Sequence, residues 1–587
     1  MMRSFIRATG LGSLLAVLAA AVAPQAAHAV LFAVTDTADL VDAAPGDGVC
    51  STAAATCTLR AAIQEANALA SADQISLPAG TYALTLSGNG EDAAATGDLD
   101  VTDNGSLLII GQGSGNTIVD ASGLAPRDRV FHFIDGTAVV RKLQITGGSQ
   151  NNGGGLRNQD ANVTLRQVRV EDNTASFDGG GILNDGVDSR LTIASSSVND
   201  NAAVDNGGGI ANRNGAVLTV NATTIDGNEV GDAGGGLYNF LAAIATINGS
   251  TISSNLAATV FGLGGGIANI DGTAIVEHTT ITGNTAGTGG GIYHQEDQFF
   301  ATLETFFVIV SHNEATGTTG GGGLFTGDGD VTINVTTVNG NSASDGDGGG
   351  LYVDPDTNTT AILQTDVFDN MASDNGGGIA YLGSAGGAGN ISLSAIYEND
   401  ATNGGGIWVS QPANFNMTIS KSTISGNDAT MAGGGLYLSA LAGSIVGLSH
   451  LTVAENHAVS AGGGIFVFNN NASYNPYHVL LAENTANAGD NCDGGNLTSS
   501  GFNLVEHDDG CSFLAQATDQ VGSLGNPIDP RIGALQDNGG VTPTHALLAN
   551  SPAIDRGHAF MCGSIDQRGM TQPVSECDIG AYELQLP

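Results

Sequence analysis

The sequence predicts an all-β chain wound as a parallel β-helix with a cap at each end, and three observations lead there. First, Asn recurs at 173, 201, 228, 255, 284, 313, 341, 370, 399, 427, 456 and 484, spaced by 27 to 29 residues. Second, fixed neighbours travel with it: an aliphatic residue three places before in all twelve copies, and Ala two places after in eleven, Val230 being the exception. Third, a Gly triplet falls in every cycle, as at 433–435 before Leu436 and Tyr437. Self-similarity at such a period marks a solenoid whose units bury their apolar faces only by stacking.

Each element of the repeat has a physical reading. Apolar residues at minus ten, minus eight and minus three alternate with Thr and Ser, as in "LTVNATTI" at 218–225, which is the pattern of short strands with one buried face. A further short strand after the triplet ("GGGIAN", "GGGLYN") makes three per cycle. No stretch of the repeat has a helical period, and glycine at this density costs a helix about 1 kcal/mol per residue. Strands paired coil to coil at about 4.8 Å give thirteen to fifteen coils and a rod of roughly 60–70 Å. Equivalent Asn side chains then stack in register as an amide ladder. The small Ala fits a corner, and the Gly triplets permit positive φ or close approach of neighbouring turns.

The chain divides in order. Residues 1–29 read as a secretory signal peptide: Arg3 and Arg7, an apolar run from Leu11 to Ala23, then Ala27-His28-Ala29, with cleavage expected after Ala29. Residues 30–105 depart from the repeat and form an N-terminal cap. Within it, 57–70 is the one helical stretch, with Leu59, Ile63 and Ala66 on one face to cover the open end of the solenoid. Residues 106–485 are the β-helix, irregular at first, and 486–587 form a C-terminal cap. Six cysteines lie outside the repeat and suit an exported protein. Nearest-neighbour pairing joins Cys50 to Cys57, Cys492 to Cys511 and Cys562 to Cys577, one of fifteen connectivities; zinc is the alternative, without a Cys-x-x-Cys spacing. No other apolar stretch is long enough for a membrane span in the mature chain.

Net charge is −42, with only two lysines, Lys142 and Lys421. That field disfavours nucleic acid and anionic membranes and favours solubility and divalent cations.

Three stretches also carry a family likeness. "DTADLVDAAPGDGVC" (36–50), "CTLRAAIQEANA" (57–68), "LPAGTY" (77–82) and "GDLDV" (97–101) resemble the N-terminal Cys-Ser-Leu-Arg-Glu-Pro type domain of exported bacterial β-helix proteins, departing from it at Thr58, Ala61 and Ala62. The Gly-Gly-Gly-[Ile/Leu]-x-Asn and Gly-Asn-x-Ala elements resemble the polymorphic outer-membrane-protein type repeat, which implies a right-handed, single-stranded parallel β-helix at a bacterial surface. Residues 526–557 and 566–584 resemble a choice-of-anchor type C-terminal domain. With no hydrophobic tail or sorting signal before Pro587, the protein is expected to be released or held non-covalently.

Two features offer chemistry beyond the scaffold. Asp369 and Glu398 precede their ladder Asn, and Asp400 and Asp428 follow theirs, on three successive coils. If Asn points inward, these carboxylates point outward near one corner, as solvated acids, a Ca²⁺ site or a glycosidase pair. Asp36, Asp39, Asp42 and Asp47 form a second acidic group without EF-hand spacing, which turn chemistry explains equally well. Two residues after the triplets stand Tyr238, Tyr293, Phe325, Tyr352, Trp408, Tyr437 and Phe466. Alternation with a core-facing aliphatic neighbour puts them outside, where they are expected to be exposed. Such a row stabilises cross-strand contacts, or binds sugar faces or a partner protein. No Ser/His/Asp set assembles, and a lyase would want basic residues that are scarce here. The expectation is a non-enzymatic, secreted or surface protein, adhesin-like, with a glycan or surface protein as partner and no cofactor unless Ca²⁺. The alternative is a polysaccharide lyase or glycoside hydrolase, which rests on fold analogy.

Overall fold

The computed structural model describes residues 29–585 except 103–104, 356–357, 384–386, 412–413, 559–560 and 574–576. The signal-peptide reading lies, up to residue 28, outside the described residues. The chain winds as a parallel β-solenoid of about 14 turns. One coil shows the plan: Leu237–Phe240, Ile244–Asn248, Thr251–Ser253 and Leu256–Ala257, each hydrogen-bonded to its equivalents in the coils before and after. Four strand segments per coil replace the three expected. The two strands on either side of the bend share one wide sheet, as expected; the extra one is the two-residue strand directly after the ladder Asn, Leu256–Ala257 here, which pairs with its equivalents in a short sheet of its own. The bend residue has positive φ in every coil, glycine or not: Gly249 57°, Phe307 53°, Val335 46°. A β-branched residue there is an outlier. Stacking holds it, since Val335 N–H donates to Leu363 C=O of the next coil at 3.1 Å.

The Asn column is buried throughout, from 0 to 3 % exposed. Each side-chain amide donates to the Oδ1 of the next Asn at 2.8–3.0 Å. The same Oδ1 accepts the preceding Asn's backbone N–H, as Asn313 Oδ1 does from Asn284 at 3.0 Å. The second amide hydrogen goes to a carbonyl of the previous coil, Asn284 to Ile252 at 3.0 Å. Every polar atom of the amide is thereby used, which a buried amide requires. The Gly triplet meets three demands. Gly433 has φ 69°, a Cβ on Gly434 would lie 2.3 Å from His457 C=O, and one on Gly435 would lie 3.0 Å from the Asn456 amide nitrogen.

At the N-terminal end the ladders begin with Leu31–Ala33, which pairs with Ala72–Ser76 and through it with Ser106–Ile110. One helix, α1 (Leu59–Ala68), is capped by Thr58, whose side chain accepts from Ala61 N–H. Leu59, Ile63 and Ala66 enter the continuous core, as expected. The opposite face is buried too, by the loop 36–51. Arg60 pairs with Asp39 at 2.6 Å, and Glu65 accepts from Gly46 and Gly48 N–H. The acidic group of that loop is turn chemistry: Asp36 accepts from Ala38 N–H, Asp42 from Ala44 and Ser51, Asp47 from Val49.

At the other end, the segment expected as a cap from 486 divides in two. Parallel pairing continues through Cys492–Thr498, Leu504–Val505, Gly510–Leu514 and Gln520–Val521. The remainder doubles back along the flank of the wide sheet. Thr542 Oγ1 donates to Leu393 C=O at 3.1 Å, His545 Nε2 lies 2.8 Å from Ser425 Oγ, and Ala581 N–H donates to Thr452 Oγ1 at 3.1 Å. The cysteines pair as nearest neighbours, with Cα–Cα distances of 5.1, 5.3 and 5.6 Å for Cys50–Cys57, Cys492–Cys511 and Cys562–Cys577. Among the described residues no helix is long and apolar enough to cross a membrane.

Candidate functional site

The sheet that follows the Gly triplets carries three files of side chains. Its first residue (Leu156, Ile182, Ile210 and their equivalents) points into the core and is 0–1 % exposed. The next residue points outward, and strand register places it in one continuous file. From the N-terminal end it runs Asp100, His132, Arg157, Leu183, Ala211, Tyr238, Ala268, Tyr293, Phe325, Tyr352, Ala380, Trp408, Tyr437, Phe466, Asp493. The seven aromatics singled out in the sequence all belong to it.

The expectation that these rings are exposed needs correction. Tyr238, Phe325 and Tyr352 are only 7–8 % exposed, and Tyr293, Trp408, Tyr437 and Phe466 are half-buried. The rings face away from the coil interior, but where aromatics occupy successive coils the coil rise sets one against the next. Tyr293 stacks on Phe325 at 4.9 Å between centroids, and Phe325 on Tyr352 at 5.1 Å. Tyr238 is covered by Ala233 at the preceding corner and by Phe240. Burial moves the phenols up, Tyr293 to about 12. The file opens towards its C-terminal end. There Tyr437 packs on Phe466 at 5.1 Å and stacks on Phe468 at 6.1 Å, and Phe468 is 62 % exposed.

The four carboxylates singled out for metal are all exposed. Asp400 and Asp428 are register partners on the short sheet and line a shallow groove of about 390 Å³ with Met371 and Val459. Burial, then the Asp428 and Asp369 charges, push the Asp400 carboxyl up. Asp369 and Glu398 occupy the corner before the ladder Asn, both with φ 54°. No three of the four offer oxygens within 4.8 Å of one another.

Two features escaped the sequence reading. The inward residue after the outward file forms a second amide ladder: Asn158, Asn184, Asn212, Asn239 and Asn269 donate successively at 2.7–2.8 Å, and Asn269 reaches His294 Nδ1 at 2.9 Å. Its signal was present in "GGGIAN" but stops after five coils. The other is the charged start of the outward file, where Asp98, Asp100, Asp128 and His132 are buried with Arg129 among them. Burial, then the Asp100 charge, push the Asp98 carboxyl up to about 8, against the pull of Arg129. Burial raises Asp100 to about 7, and burial with the Arg129 and Arg157 charges lowers His132 to about 4.

Compared with known proteins, the chain matches no family model and no curated protein.

Proposed function

We propose that this is a non-enzymatic, exported or cell-surface β-helix protein that holds a ligand along the open end of the aromatic file, in an adhesin-like role, with a glycan as the first candidate. The observation that carries the reading is that end itself. Trp408, Tyr437 and Phe466 occupy successive coils, half-buried, with the exposed Phe468 against Tyr437. Rings at coil spacing, about 4.8 Å, pack on one another and offer a fixed apolar strip to a sugar chain. The parallel strand pairing, with the buried Val409, Leu438 and Val467 on its inner side, holds that row without ordering cost on binding, which favours affinity. Support for export comes from the signal-like residues 1–29, the three disulfides and the likeness to exported bacterial β-helix domains.

The test is a titration of the purified chain with neutral and acidic glycans and with candidate surface proteins, with and without Ca²⁺, following Trp408 fluorescence. Binding is expected for at least one glycan. Replacing Tyr437, Phe466 and Phe468 together by Ser should abolish it and leave the β circular-dichroism spectrum unchanged. Undiminished binding by that variant contradicts the reading. So does glycan cleavage lost on Asp400→Asn, which would make the protein an enzyme.

A further inference from the structure

Three groups of metal-competent side chains exist among the described residues, and they differ in what their atoms already do. In the first, His450, His478 and Cys577, the sulfur is committed to the Cys562 disulfide. His478 Nδ1 bonds His450 Nε2 at 2.8 Å, and its Nε2 accepts from His558 N–H at 2.7 Å. In the second, Asp490, His507 and Asp509, the two ring nitrogens face different carboxylates, Nδ1 towards Asp509 and Nε2 towards Asp490. Both groups are satisfied without an ion.

The third group is different. Asp100 and His132 are register partners on Leu99–Val101 and Phe131–Phe133, at the start of the outward file. Asp100 is fully buried; its Oδ2 accepts Ala94 N–H at 3.0 Å, while its Oδ1 accepts no hydrogen bond. That oxygen lies 3.3 Å from His132 Nδ1, which lies 3.8 Å from Asp92 Oδ1. Around a tetrahedral ion with bonds of about 2.0–2.1 Å, ligand atoms stand roughly 3.3–3.4 Å apart.

The surroundings fix these positions. Glu91 ties its own turn by accepting from Ala93 and Thr96 N–H at 2.9 and 2.7 Å. Arg60 of α1 donates to the carbonyls of Ala94, Gly97 and Asp98 at 2.8–3.2 Å, so the loop that carries Asp92 is anchored from beneath. Charge favours a cation as well. Glu91 and Asp92 lie beside Asp100, and the nearby Arg129 is already paired with Asp98 at 3.2 Å. An unpartnered carboxylate oxygen buried among acids is costly unless something positive reaches it.

We propose that Asp92, Asp100 and His132 form a binding site for one divalent first-row transition ion, Zn²⁺ by best fit, that staples the 91–98 loop to the first coils. Imidazole plus two carboxylates suits Zn²⁺, whereas Ca²⁺ takes six to eight oxygens and Mg²⁺ an octahedron of them. The ion would lock the N-terminal end where α1 covers the core, a structural role separate from the aromatic end of the file.

The experiment uses the full oxidised chain, stripped with chelator and titrated with Zn²⁺ by calorimetry, with Co²⁺ as a spectroscopic stand-in. One ion per chain is expected, with visible Co²⁺ bands of a tetrahedral site and a raised melting temperature. Asp92→Asn removes a ligand whose side chain is 71 % exposed, so the fold should survive it. It and His132→Gln should each weaken binding by at least about tenfold, while His507→Gln should leave it unchanged. Absence of saturable Zn²⁺ binding overturns the proposal, as does affinity undiminished in Asp92→Asn.

Discussion

The same sheet is held in two different ways along its length. From Leu156 to Ile270 its inner file is Asn and its outer file is Arg157, Leu183, Ala211, Tyr238 and Ala268. From Leu351 to Val467 the inner file is Val353, Tyr381, Val409, Leu438 and Val467, and the outer file is aromatic in four coils of five. The change falls at His294 and Thr326. Where the amide ladder stops, stacked rings begin on the other face of the same strands, with Tyr293 and Phe325 as the first pair. Cross-strand contacts worth a few tenths to 1 kcal/mol per pair are available from either face. The fold therefore needs registration at this sheet but does not prescribe the chemistry, which leaves the outer rings free to serve a second purpose where they are open.

The junction is marked by loose polar ends. His294 is fully buried with Nε2 unpartnered, and Thr326 Oγ1 has no partner. Burial lowers the His294 pKa to about 3. Beyond the junction, bulk replaces hydrogen bonding. The Tyr381 ring occupies space that Gly389 vacates, since a Cβ there would lie 2.3 Å from Tyr381 Oη.

The largest effect should come from the ladder common to both regions. Asn228→Ala and Asn427→Ala should each cost about 3 kcal/mol in chemical denaturation, because several buried partners lose their bonds. A clearly smaller cost in the second region would mean that the rings, not the amides, carry its stability. Exchanging inner residues comes next. Asn212→Val orphans Asn184 and Asn239, and Val409→Asn buries an unpaired amide, so both should destabilise by about 2 kcal/mol. Tolerance of Val409→Asn would show that the second region does not depend on an apolar inner file.

Gly389→Ala should cost about 1–3 kcal/mol through overpacking against Tyr381, and the cost should fall in a Tyr381→Leu background. The smallest change is His294→Asn, which extends the ladder by one rung and should be neutral or stabilising by under about 1 kcal/mol. It should also alter acid sensitivity. A histidine whose folded pKa is depressed contributes stability that is present above about pH 6.5 and lost as pH falls towards 3. The variant's melting temperature should therefore fall less than the wild type's across that window, and parallel curves would refute the buried neutral imidazole.

How much of this was written in the sequence follows from how often each signal repeats. The first Asn column recurs in all twelve copies, so coil, register and inward orientation were all legible. The second Asn column occupies five coils and then becomes His294, Thr326 and a mix of aliphatic residues and Tyr381, too short a run to stand out within the triplet motif. The aromatic file was legible as a file. Its burial was not, because stacking between coils and cover from corners such as Ala233 depend on three-dimensional neighbours. The Asp92, Asp100 and His132 group joins residues forty apart in irregular coils, where no period guides the eye. The return of the C-terminal segment along the flank leaves no periodic trace either.

The most direct measurement on the central claim, that the open end of the aromatic file is a recognition surface, is acrylamide quenching of Trp408, the sole tryptophan. A half-buried indole at the edge of an open row should be quenched in the folded protein, more slowly than after unfolding, and a bound glycan should slow it further. An indole that resists quenching until the chain unfolds would place Trp408 in closed packing like Tyr352, and would contradict the claim that this end of the file is open to a partner.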